Sequence, residues 1–375
     1  MKKIGNVLVN FCKKNVVMLI ALALALATTF VVPIDNEYLN YFDFKTLACL
    51  FSVLAVVCAL KNINFFYMLA YKIVQIFKTI RISILSLVYI TFIGSMLIAN
   101  DMALLTFLPL GYIVLSTTKK EKYMAFTFII QTLAANLGGM LTPFGNPQNL
   151  YLFSKFHIPT TEFLSIMIVP FVISIVLITV CCFIFVKDEP IEINNEEVKL
   201  PVIRTILYLV LFTLSILIVF NFIPYYIGLI IIFIGILIMD RKALLDVDYP
   251  LLFTFVFFFI FAGNMSRIDA IRNIFSNLLE KNTLIFSALS CQIISNVPSA
   301  ILLSQFTSNY KELLWGVNIG GVGTLISSLA SLITFREYIK HNPGKNKEYI
   351  GVFSAFNFSF LFILIGFMII FNLIF

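Results

Sequence analysis

NLGGMLTPFGNPQNLYLF, residues 136–153, stands out within an otherwise apolar chain of 375 residues, of which 61% are hydrophobic and 12% charged. The mean hydropathy of +1.01 is typical of a membrane protein with many spans rather than of a soluble domain. The quoted stretch nevertheless carries two adjacent glycines, two prolines and the amides of Asn146, Gln148 and Asn149. Glycine and proline interrupt a helix, and backbone groups freed inside a bilayer need protein or a water-filled cavity around them. We therefore predict an interrupted membrane helix whose polar groups face a cavity instead of lipid.

Apolar runs long enough to cross a hydrocarbon core of about 30 Å, which takes roughly 20 residues, recur along the whole chain. We predict an all-α integral membrane protein with about nine transmembrane helices, some of them short. The predicted spans are residues 16–33, 46–60, 123–141, 163–186, 202–220, 223–239, 250–262, 315–335 and 351–375. The first follows Lys13 and Lys14 without a small-residue cleavage site, so we interpret it as a retained helix rather than a removed signal peptide.

Basic residues give the orientation, because lysine and arginine collect in the cytoplasmic connections of membrane proteins. With a cytoplasmic N-terminus, most of the 26 lysines and arginines fall on the cytoplasmic side. This bias holds only if residues 82–118 and residues 283–308 each return to the side from which they start. We therefore predict a multi-pass protein of the cell membrane (plasma or inner), with its N-terminus in the cytoplasm.

Both returning segments kink at polar residues. The first kinks at Asn100 and Asp101, and its length also allows two full helices with a tight turn. The second kinks at Ser295 and Asn296, and its arms of about a dozen residues, or roughly 20 Å, reach only part-way across a bilayer. We interpret both as re-entrant hairpins whose tips stop inside the protein.

The sequence also repeats itself. Residues 136–153 align without gaps on NIGGVGTLISSLASLITF, residues 318–335, with identical Asn, Gly, Gly, Thr, Leu and Phe. Each half has an amphipathic stretch, a kinked hairpin, a Gly-rich span and a final span, in that order. Because the first hairpin has its base inside and the second outside, we predict inverted repeats, as in many secondary transporters. The predicted units are an N-terminal repeat over residues 1–186 with a broken helix at 123–153, a cytoplasmic linker over 187–200, and a C-terminal repeat over 201–375 with a Gly-rich helix at 315–335.

Interrupted helices offer two kinds of binding group. A helix N-terminus carries roughly half a positive charge and favours anions, whereas freed carbonyl oxygens favour cations. A carboxylate inside the bilayer costs at least about 3 kcal/mol on insertion scales, which makes Asp101 the candidate coupling group. Simpler roles stay open. Asn100 and Asp101 could cap the second arm of the first hairpin, and Ser295 or Asn296 could be the N-cap of a helix that starts at Pro298. The glycine pairs at 138–139 and 320–321 could serve close helix packing.

Other polar residues are assigned structural roles. The six cysteines show no CxxC and lie mostly in apolar runs, where cysteine behaves as a small hydrophobe. The two histidines, His157 and His341, lie far apart in sequence, so we expect no metal site from them. Arg267 and Arg272 are expected on the solvated face of an amphipathic outer helix.

Four motifs taken together resemble the ion transporter superfamily: ANDMALLTFLP, NLGGMLTPFGNPQN, SNVPSAILL and the later Gly-rich arm. That superfamily includes divalent-anion/sodium symporters, citrate carriers, arsenite permeases and one sodium/proton antiporter group. The resemblance spans nearly the whole chain. It implies two hairpins that meet around the substrate, an elevator-type movement of a transport domain and commonly a homodimer.

In the dicarboxylate branch of that superfamily, Ser-Asn-Thr hairpin tips and the adjoining broken spans hold sodium ions and substrate carboxylates. The tips here read Ala99, Asn100, Asp101 and Ser295, Asn296, Val297; the Asn-Asp tip is closer to the arsenite and antiporter branches. The broken-span signature corresponds to Gly145, Asn146, Pro147 and to Ser327, Ser328, Leu329, so we expect the second span to be less broken. The implied substrate and ion site comprises Asn100, Asp101, Thr142, Gly145, Asn146, Pro147, Asn149, Ser295, Asn296, Val297, Gly323, Thr324, Ser327 and Ser328, with Na+ near Asn100, Asp101 and Asn296 and no other metal or cofactor.

These observations predict a secondary active transporter for a small anion, a carboxylate or an inorganic oxyanion, coupled to Na+ or H+. A cation/proton antiporter of the same superfamily is the alternative, and a passive channel is a further one. The sequence lacks HExxH, a facing pair of acids and a Ser–His pair within the spans, so it does not favour an intramembrane enzyme. The expected partners are the anionic solute, membrane lipid and a second copy of the chain, with no nucleic acid.

Overall fold

The computed structural model describes residues 15–74, 76–191 and 200–374. Within these ranges the chain is helical and forms no strand beyond one isolated bridge between Thr79 and Pro190. The lysines at positions 2, 3, 13 and 14, together with most of the predicted linker, lie outside the described residues.

The helices follow the predicted order along the chain. Those of the first half are α1 (Val16–Thr29), α2 (Phe44–Asn62), α3 (Phe65–Val74), α4 (Ile80–Ile98), α5 (Asn100–Thr117), α6 (Met124–Gly138), α7 (Pro147–Lys155) and α8 (Thr160–Phe185). Those of the second half are α9 (Val202–Val219), α10 (Tyr225–Met239), α11 (Arg241–Leu245), α12 (Tyr249–Ser266), α13 (Asp269–Lys281), α14 (Thr283–Ile294), α15 (Asn296–Leu303), α16 (Tyr310–Ile319), α17 (Leu329–His341) and α18 (Asn346–Ile374). Short 3-10 turns cover Asn36–Tyr41, Glu121–Tyr123 and Gly139–Leu141.

Eight helical segments in the described part of the chain are long and apolar enough to cross a membrane. They are α2, α4, α5, the segment Glu121–Leu141 that contains α6, α8, α9, α12 and α18. The predicted spans at 16–33 and 223–239 form helices of 14 and 15 residues, which are apolar but shorter. The prediction of an all-α integral membrane protein with many spans is confirmed.

The two predicted hairpins differ in length. α4 and α5 have 19 and 18 residues, so each arm extends roughly 27 to 29 Å at about 1.5 Å per residue. α14 and α15 have only 12 and 8 residues. The first segment therefore has the dimensions of two full helices with a tight turn, the alternative that the sequence leaves open. The re-entrant placement of both hairpins stays a prediction.

The prediction of a Gly-rich helix over residues 315–335 that is less broken than the first span is wrong. α16 ends at Ile319 and α17 begins at Leu329, so the second span is interrupted as the first is. Gly323 has a φ of +133°, which a residue with a side chain rarely adopts. Ser328 then starts α17 as its N-cap, accepting a hydrogen bond from the Ala330 N–H. Glycine and a serine cap therefore break this span without the proline found in the first one.

Helix packing divides the molecule into two groups. In one, α1 packs along α12, and α2 packs against α9, α10 and α11. In the other, α4, α5 and α6 pack on one another, α14 packs on α15 and α16, and α17 contacts α5 and α6. The groups meet where α12 contacts α15 and where α2 contacts α7. The interrupted spans thus lie in the second group, next to its boundary with the first.

Glycines allow each hairpin to pack closely on the interrupted span of its own half. A Cβ atom on Gly138 would lie 2.7 Å from the Ser95 hydroxyl and collide with the Phe92 carbonyl of α4. A Cβ atom on Gly320 would lie 2.8 Å from the Ala288 Cα of α14. The close-packing role that the sequence leaves open for these glycines is therefore observed, since backbones approach closely at small residues.

The expectation that Arg267 lies on the amphipathic helix is wrong. Arg267 follows the last residue of α12, and its guanidinium donates to Asp35 at 2.6 Å and 3.0 Å and lies 3.3 Å from Glu37. Hydrogen bonding to Arg267 holds the pKa of the Asp35 carboxyl below its ordinary value. The sequence gives no sign of this contact, because Asp35 lies in the distant segment after α1. Arg272 lies on α13 and is exposed, as expected.

The chain leaving α8 returns to the base of the first hairpin. The Ile80 N–H donates to the Glu189 carbonyl at 2.8 Å, and the Ile191 N–H donates to the Lys78 carbonyl at 2.9 Å. The Glu189 carboxylate binds the ammonium groups of Lys120, in a short contact, and Lys122, at 2.7 Å. Hydrogen bonds from these lysines lower the pKa of Glu189 to about 2. One end of the predicted linker is therefore attached to both arms of the first hairpin.

Candidate substrate and ion site

Both hairpin tips adopt the same unusual backbone conformation. Ala99 has φ and ψ of 65° and 149°, and Ser295 has 74° and 161°. Such values at residues other than glycine cost of order 1–3 kcal/mol and concentrate at functional sites. In each case the next residue begins a helix, and its side-chain oxygen accepts the following N–H: Asn100 from Asp101 at 3.0 Å, and Asn296 from Val297 at 2.9 Å.

The second half-helix of each interrupted span starts at an extended residue. Asn146 has φ −141° and ψ 143° before α7, which begins with Pro147, and Ser328 has φ −149° and ψ 142° before α17. Proline suits the first helical position because its missing N–H is not needed there. Together with the two tips, the structure thus places four helix N-termini around the interruptions.

A network of buried amides joins the two halves. The Asn136 Oδ1 accepts hydrogen bonds from the Asn100 Nδ2 and the Ser328 hydroxyl, both at 2.9 Å. The Asn318 Oδ1 accepts from the Asn146 Nδ2 at 3.2 Å, and its Nδ2 donates to the Asn149 Oδ1 at 2.6 Å. All six side chains are buried. The first tip and both interruptions therefore form one connected polar interior.

Each tip also bonds to the interruption of its own half. The Asn296 N–H donates to the Ser327 carbonyl at 3.0 Å, and the Ser295 hydroxyl donates to the same carbonyl at 3.2 Å. In the first half the Thr142 hydroxyl donates to the Met96 carbonyl, just before the tip, at 2.6 Å. These bonds hold the tips against the interruptions.

Asp101 faces a narrow cleft at the boundary between the two helix groups. The cleft has a volume of about 50 Å³, enough for a few water molecules. Asp101, Asp248, Ala99 and Pro147 line it within otherwise apolar walls, and no basic residue is among the described residues that line it. The Asp101 Oδ1 is buried and accepts no hydrogen bond from the described residues. The half-buried carboxylate therefore keeps one binding oxygen unused.

Two further acceptors in this interior are unused. The Asn146 Oδ1 and the Gln148 Oε1 are buried and, within the described ranges, have no hydrogen-bond donor. The Nε2 of Gln148 donates to the Asn318 Oδ1 at 3.2 Å, which fixes the direction of its amide. Buried acceptors without partners are rare in proteins and call for a specific explanation, such as a bound ion or solute.

The structure brings most predicted site residues together but gives several of them internal roles. Gly145 packs against the Gly139 backbone, and Asn149 donates to backbone carbonyls of the first interruption. Gly323 and Thr324 face Gln292 of α14. Val297 is half-buried and packs against the apolar core. A binding role for the predicted set stays a prediction.

Four residues that the structure places at the centre of the site are absent from the predicted set. Asn136 and Asn318 are the first identity in the alignment of the two halves, so the repeat itself carried a usable signal. No sequence signal marks Gln292 or Asp248 as a site residue. Gln292 lies inside an apolar stretch, and Asp248 has the pattern of a helix N-cap, which it is, since its side chain accepts the Leu251 N–H at 3.0 Å. Only the three-dimensional arrangement shows that Gln292 contacts the second interruption and that Asp248 lines the cleft of Asp101.

Many apolar helices around a buried polar site with interrupted helices define the class as a multi-pass membrane protein of the kind that carries solutes. The family model described as "Citrate transporter" matches residues 7–315, and the chain belongs to this family. It is 36% identical over 306 residues to an uncharacterized transporter, MJ0456, of Methanocaldococcus jannaschii, covering 80% of this chain and 82% of that protein. It is 29% identical over 306 residues to the inner membrane protein YbiR of Escherichia coli, covering 78% and 80%. The protein is a membrane transporter of the ion transporter superfamily, and these similarities point away from an enzyme.

Proposed function

We propose that the protein is a secondary active transporter that moves a small anion, a carboxylate or inorganic oxyanion, together with H+ or Na+. The observation that carries the proposal is the meeting of the hairpin tips and interrupted helices around Asp101, whose buried oxygen has no partner among the described residues. Asp101 is the proposed coupling group, because a carboxylate can hold either a proton or a cation. The family's description makes carboxylates such as citrate the first candidates for the solute.

Helix N-termini supply the attraction for an anion in this proposal. α5, α7, α15 and α17 all begin at the tips or interruptions, and each carries roughly half a positive charge at its start. No lysine, arginine or histidine is among the described residues that line the Asp101 cleft. An anion is therefore held by N–H groups and amides rather than by a basic side chain, as in other transporters with broken helices.

Reciprocal contacts support inverted repeats. The alignment of residues 136–153 on residues 318–335 pairs Asn136 with Asn318 and Asn146 with Ser328. Ser328 bonds to Asn136 while Asn146 bonds to Asn318, so the two contacts exchange when the halves are exchanged. A two-fold axis produces this pattern, since residue i then contacts j and residue j contacts i. We propose that the axis lies in the membrane plane and inverts the second half.

The two helix groups support an elevator movement. The group with the interruptions touches the other mainly through α15 against α12 and α7 against α2. In the proposal this boundary is the sliding surface, the group of α1, α2 and α9–α12 is the scaffold, and two copies associate through their scaffolds. The membrane is the cell membrane, and the N-terminus is cytoplasmic.

Reconstituted liposomes test the proposed function. Citrate, sulfate and arsenite uptake is measured under an imposed pH gradient, an imposed Na+ gradient and no gradient. We expect accumulation of one anion only with a gradient, and loss of gradient dependence in Asp101→Asn. Asp269→Asn is the control, because the Asp269 side chain is 89% exposed on α13. Equal uptake with and without gradients would show a passive channel, and unchanged coupling in Asp101→Asn would remove the assigned role.

Cation/proton exchange is the second candidate. Asp101 and Asp248 line the same cleft without a basic residue among its described lining, an arrangement that suits a cation as well as a proton. Proton movement driven by a Na+ gradient, measured with and without the candidate anions, separates the two functions. Exchange that proceeds at full rate without any anion would favour the antiporter.

A further inference from the structure

The first interruption directs three carbonyl oxygens at one side-chain nitrogen. The Asn149 Nδ2 lies 3.4 Å from the Gly139 oxygen, 3.0 Å from the Met140 oxygen and 3.3 Å from the Thr142 oxygen. An amide nitrogen has only two hydrogens for these three acceptors. Several carbonyl oxygens around one centre form the kind of environment that selectivity filters and other sites use for bare cations. Here an uncharged amide occupies that centre.

At the second interruption a side-chain amide from a different helix, α14, binds two of the freed carbonyl oxygens and one oxygen of its own helix. The Gln292 Nε2 lies 2.8 Å from the Gly320 oxygen, 3.2 Å from the Val322 oxygen and 3.0 Å from the Ala288 oxygen. The Ser327 hydroxyl lies within hydrogen-bonding distance of two further carbonyl oxygens, that of Gly321 at 2.9 Å and that of Thr324 at 2.8 Å. Gln292 and Ser327 together thus provide hydrogen bonds to the carbonyl oxygens of residues 321, 322 and 324. These residues align with residues 139, 140 and 142, whose carbonyl oxygens surround the Asn149 amide.

The side chains that bind these carbonyl oxygens do not occupy equivalent positions in the two repeats. The alignment pairs Asn149 with Ser331, whose buried hydroxyl has no partner among the described residues, and it pairs Ser327 with Gly145. Matching the tips, Ala99 with Ser295, pairs Gln292 with Met96. The same carbonyls are therefore satisfied from different sequence positions in the two halves. This indicates that filling the carbonyl cluster matters more than which residue fills it.

The glycine at position 323 leaves the space that the Gln292 side chain occupies. Its φ is +133°, and a Cβ atom at this position would collide with the Gln292 amide oxygen. The same oxygen accepts the Thr324 N–H at 2.9 Å, and the Thr324 hydroxyl donates to the Gln292 carbonyl at 3.1 Å. Gly323 and Thr324, which belong to the predicted substrate and ion set, thus position the Gln292 side chain.

We propose that Asn149 and Gln292 are built-in substitutes for a cation at the two interruptions. Freed carbonyls at membrane depth need partners, and in an ion-binding interruption the ion is that partner. Here the side-chain amides satisfy the carbonyls, so neither interruption binds Na+, and the charged coupling group of the site is Asp101. This inference deepens the proposed function and rests on it. Asn149 and Gln292 are positioning residues that also set ion specificity.

Sodium-dependent thermal stability tests the inference without any transport. The background carries Asp101→Asn and Asp248→Asn, so that both described acids of the cleft are neutral. Unfolding is followed at about pH 8 in NaCl and in choline chloride at equal ionic strength. A ligand that binds only the folded state stabilises it by RT ln(1 + [L]/Kd), so a specific Na+ site raises the melting temperature with Na+ concentration. We expect no such rise in this background.

Gln292→Glu is then added to the same background. It keeps the size of the side chain but places a carboxylate oxygen among carbonyl oxygens, which repel it unless a cation lies between them. We expect the protein to gain a melting-temperature rise of several degrees between about 1 and about 100 mM Na+, as mass action gives for a site of millimolar affinity. Gln292→Met is the control of similar size: it lowers stability but confers no Na+ dependence.

Asn149→Asp provides the same test at the first interruption if Gln292→Glu does not fold. It keeps the oxygen that accepts from Asn318 and replaces only the nitrogen at the carbonyl cluster. A Na+-specific rise with both amides intact, or no Na+ dependence in either folded acidic variant, would overturn the inference. Neither result bears on uptake by the unmodified protein, so failure here is distinct from failure of the proposed function.

Discussion

The Asn136 side chain accepts a hydrogen bond from the Ser328 hydroxyl at 2.9 Å, although 192 residues separate the two positions. Asn136 lies in the last turn of α6, the first half-helix of one interrupted span, and Ser328 is the N-cap of the second half-helix of the other. The same Asn136 oxygen accepts from Asn100 at a hairpin tip. One amide oxygen therefore connects three of the elements that the proposed mechanism requires to be together.

Asn136→Leu is expected to destabilise the protein strongly. The change leaves the Asn100 amide and the Ser328 hydroxyl buried without their acceptor, and each unsatisfied group costs about 1–3 kcal/mol. We expect a clear fall in melting temperature and loss of uptake. Thermal unfolding in detergent and liposome uptake measure the two effects.

Asn357→Leu is the matched control for that change. Asn357 on α18 is also fully buried, but its oxygen has no partner among the described residues, and its nitrogen bonds only to the Phe353 carbonyl of its own helix. Replacing Asn357 by leucine leaves no other side chain without its hydrogen-bond partner, so we expect a small effect on stability. Equal destabilisation by the two variants would show that the Asn136 network has no special importance.

The sequence predicts the positions of the kinks well because each is marked by residues that act locally. Asn100 and Asn296 begin helices directly after a strained residue, and Pro147 starts a half-helix where proline is favoured. The full extent of the second interruption is not predicted, because glycine and a serine cap produce it without proline. Gln292 is missed for a different reason: its partners, Gly320 and Val322, lie far along the chain, and their contact depends on packing that no local pattern encodes.

Gly138→Ala is expected to disrupt packing between α6 and α4. A Cβ atom there meets the Phe92 carbonyl and the Ser95 hydroxyl, and overpacking of this kind typically costs about 1–3 kcal/mol. Thermal unfolding measures the loss. Gly351→Ala on α18 is the control, because its Cβ meets nothing within 4 Å and alanine is the better helix former by roughly 0.5–1 kcal/mol. A fall in melting temperature in both variants would mean that close approach is not the cause.

The Glu189 attachment is expected to weaken in acid. Its folded-state pKa is lowered from 4.5 to about 2 by hydrogen bonds from Lys120 and Lys122, so the carboxylate stabilises the folded state above the ordinary pKa. This stabilisation decreases as pH falls below about 4.5 and is lost as pH passes through about 2. At neutral pH, Glu189→Gln is expected to speed hydrogen exchange at the Ile191 amide, which bonds to the Lys78 carbonyl.

The comparison of wild type with Glu189→Gln isolates that charge. The difference in Ile191 exchange should be largest near neutral pH and shrink as pH falls through about 2, where Glu189 becomes protonated and is then uncharged like glutamine. Glu121→Gln, at an exposed neighbouring position, controls for a general change of charge at this face. A difference between wild type and Glu189→Gln that does not change with pH would contradict the ion-pair explanation.

Inverted repeats place the bases of the two hairpins on opposite sides of the membrane. Lys119 follows the second arm of the first hairpin, Lys281 precedes the first arm of the second hairpin, and both are exposed. Each is changed to cysteine in a variant whose native cysteines are replaced; the five described ones are buried or half-buried. In intact cells, a charged maleimide that cannot cross the membrane should label Lys281→Cys but label Lys119→Cys only after permeabilisation. Labelling of both from outside, or of neither, would place the two bases on the same side and rule out the inverted arrangement on which the proposed transport cycle depends.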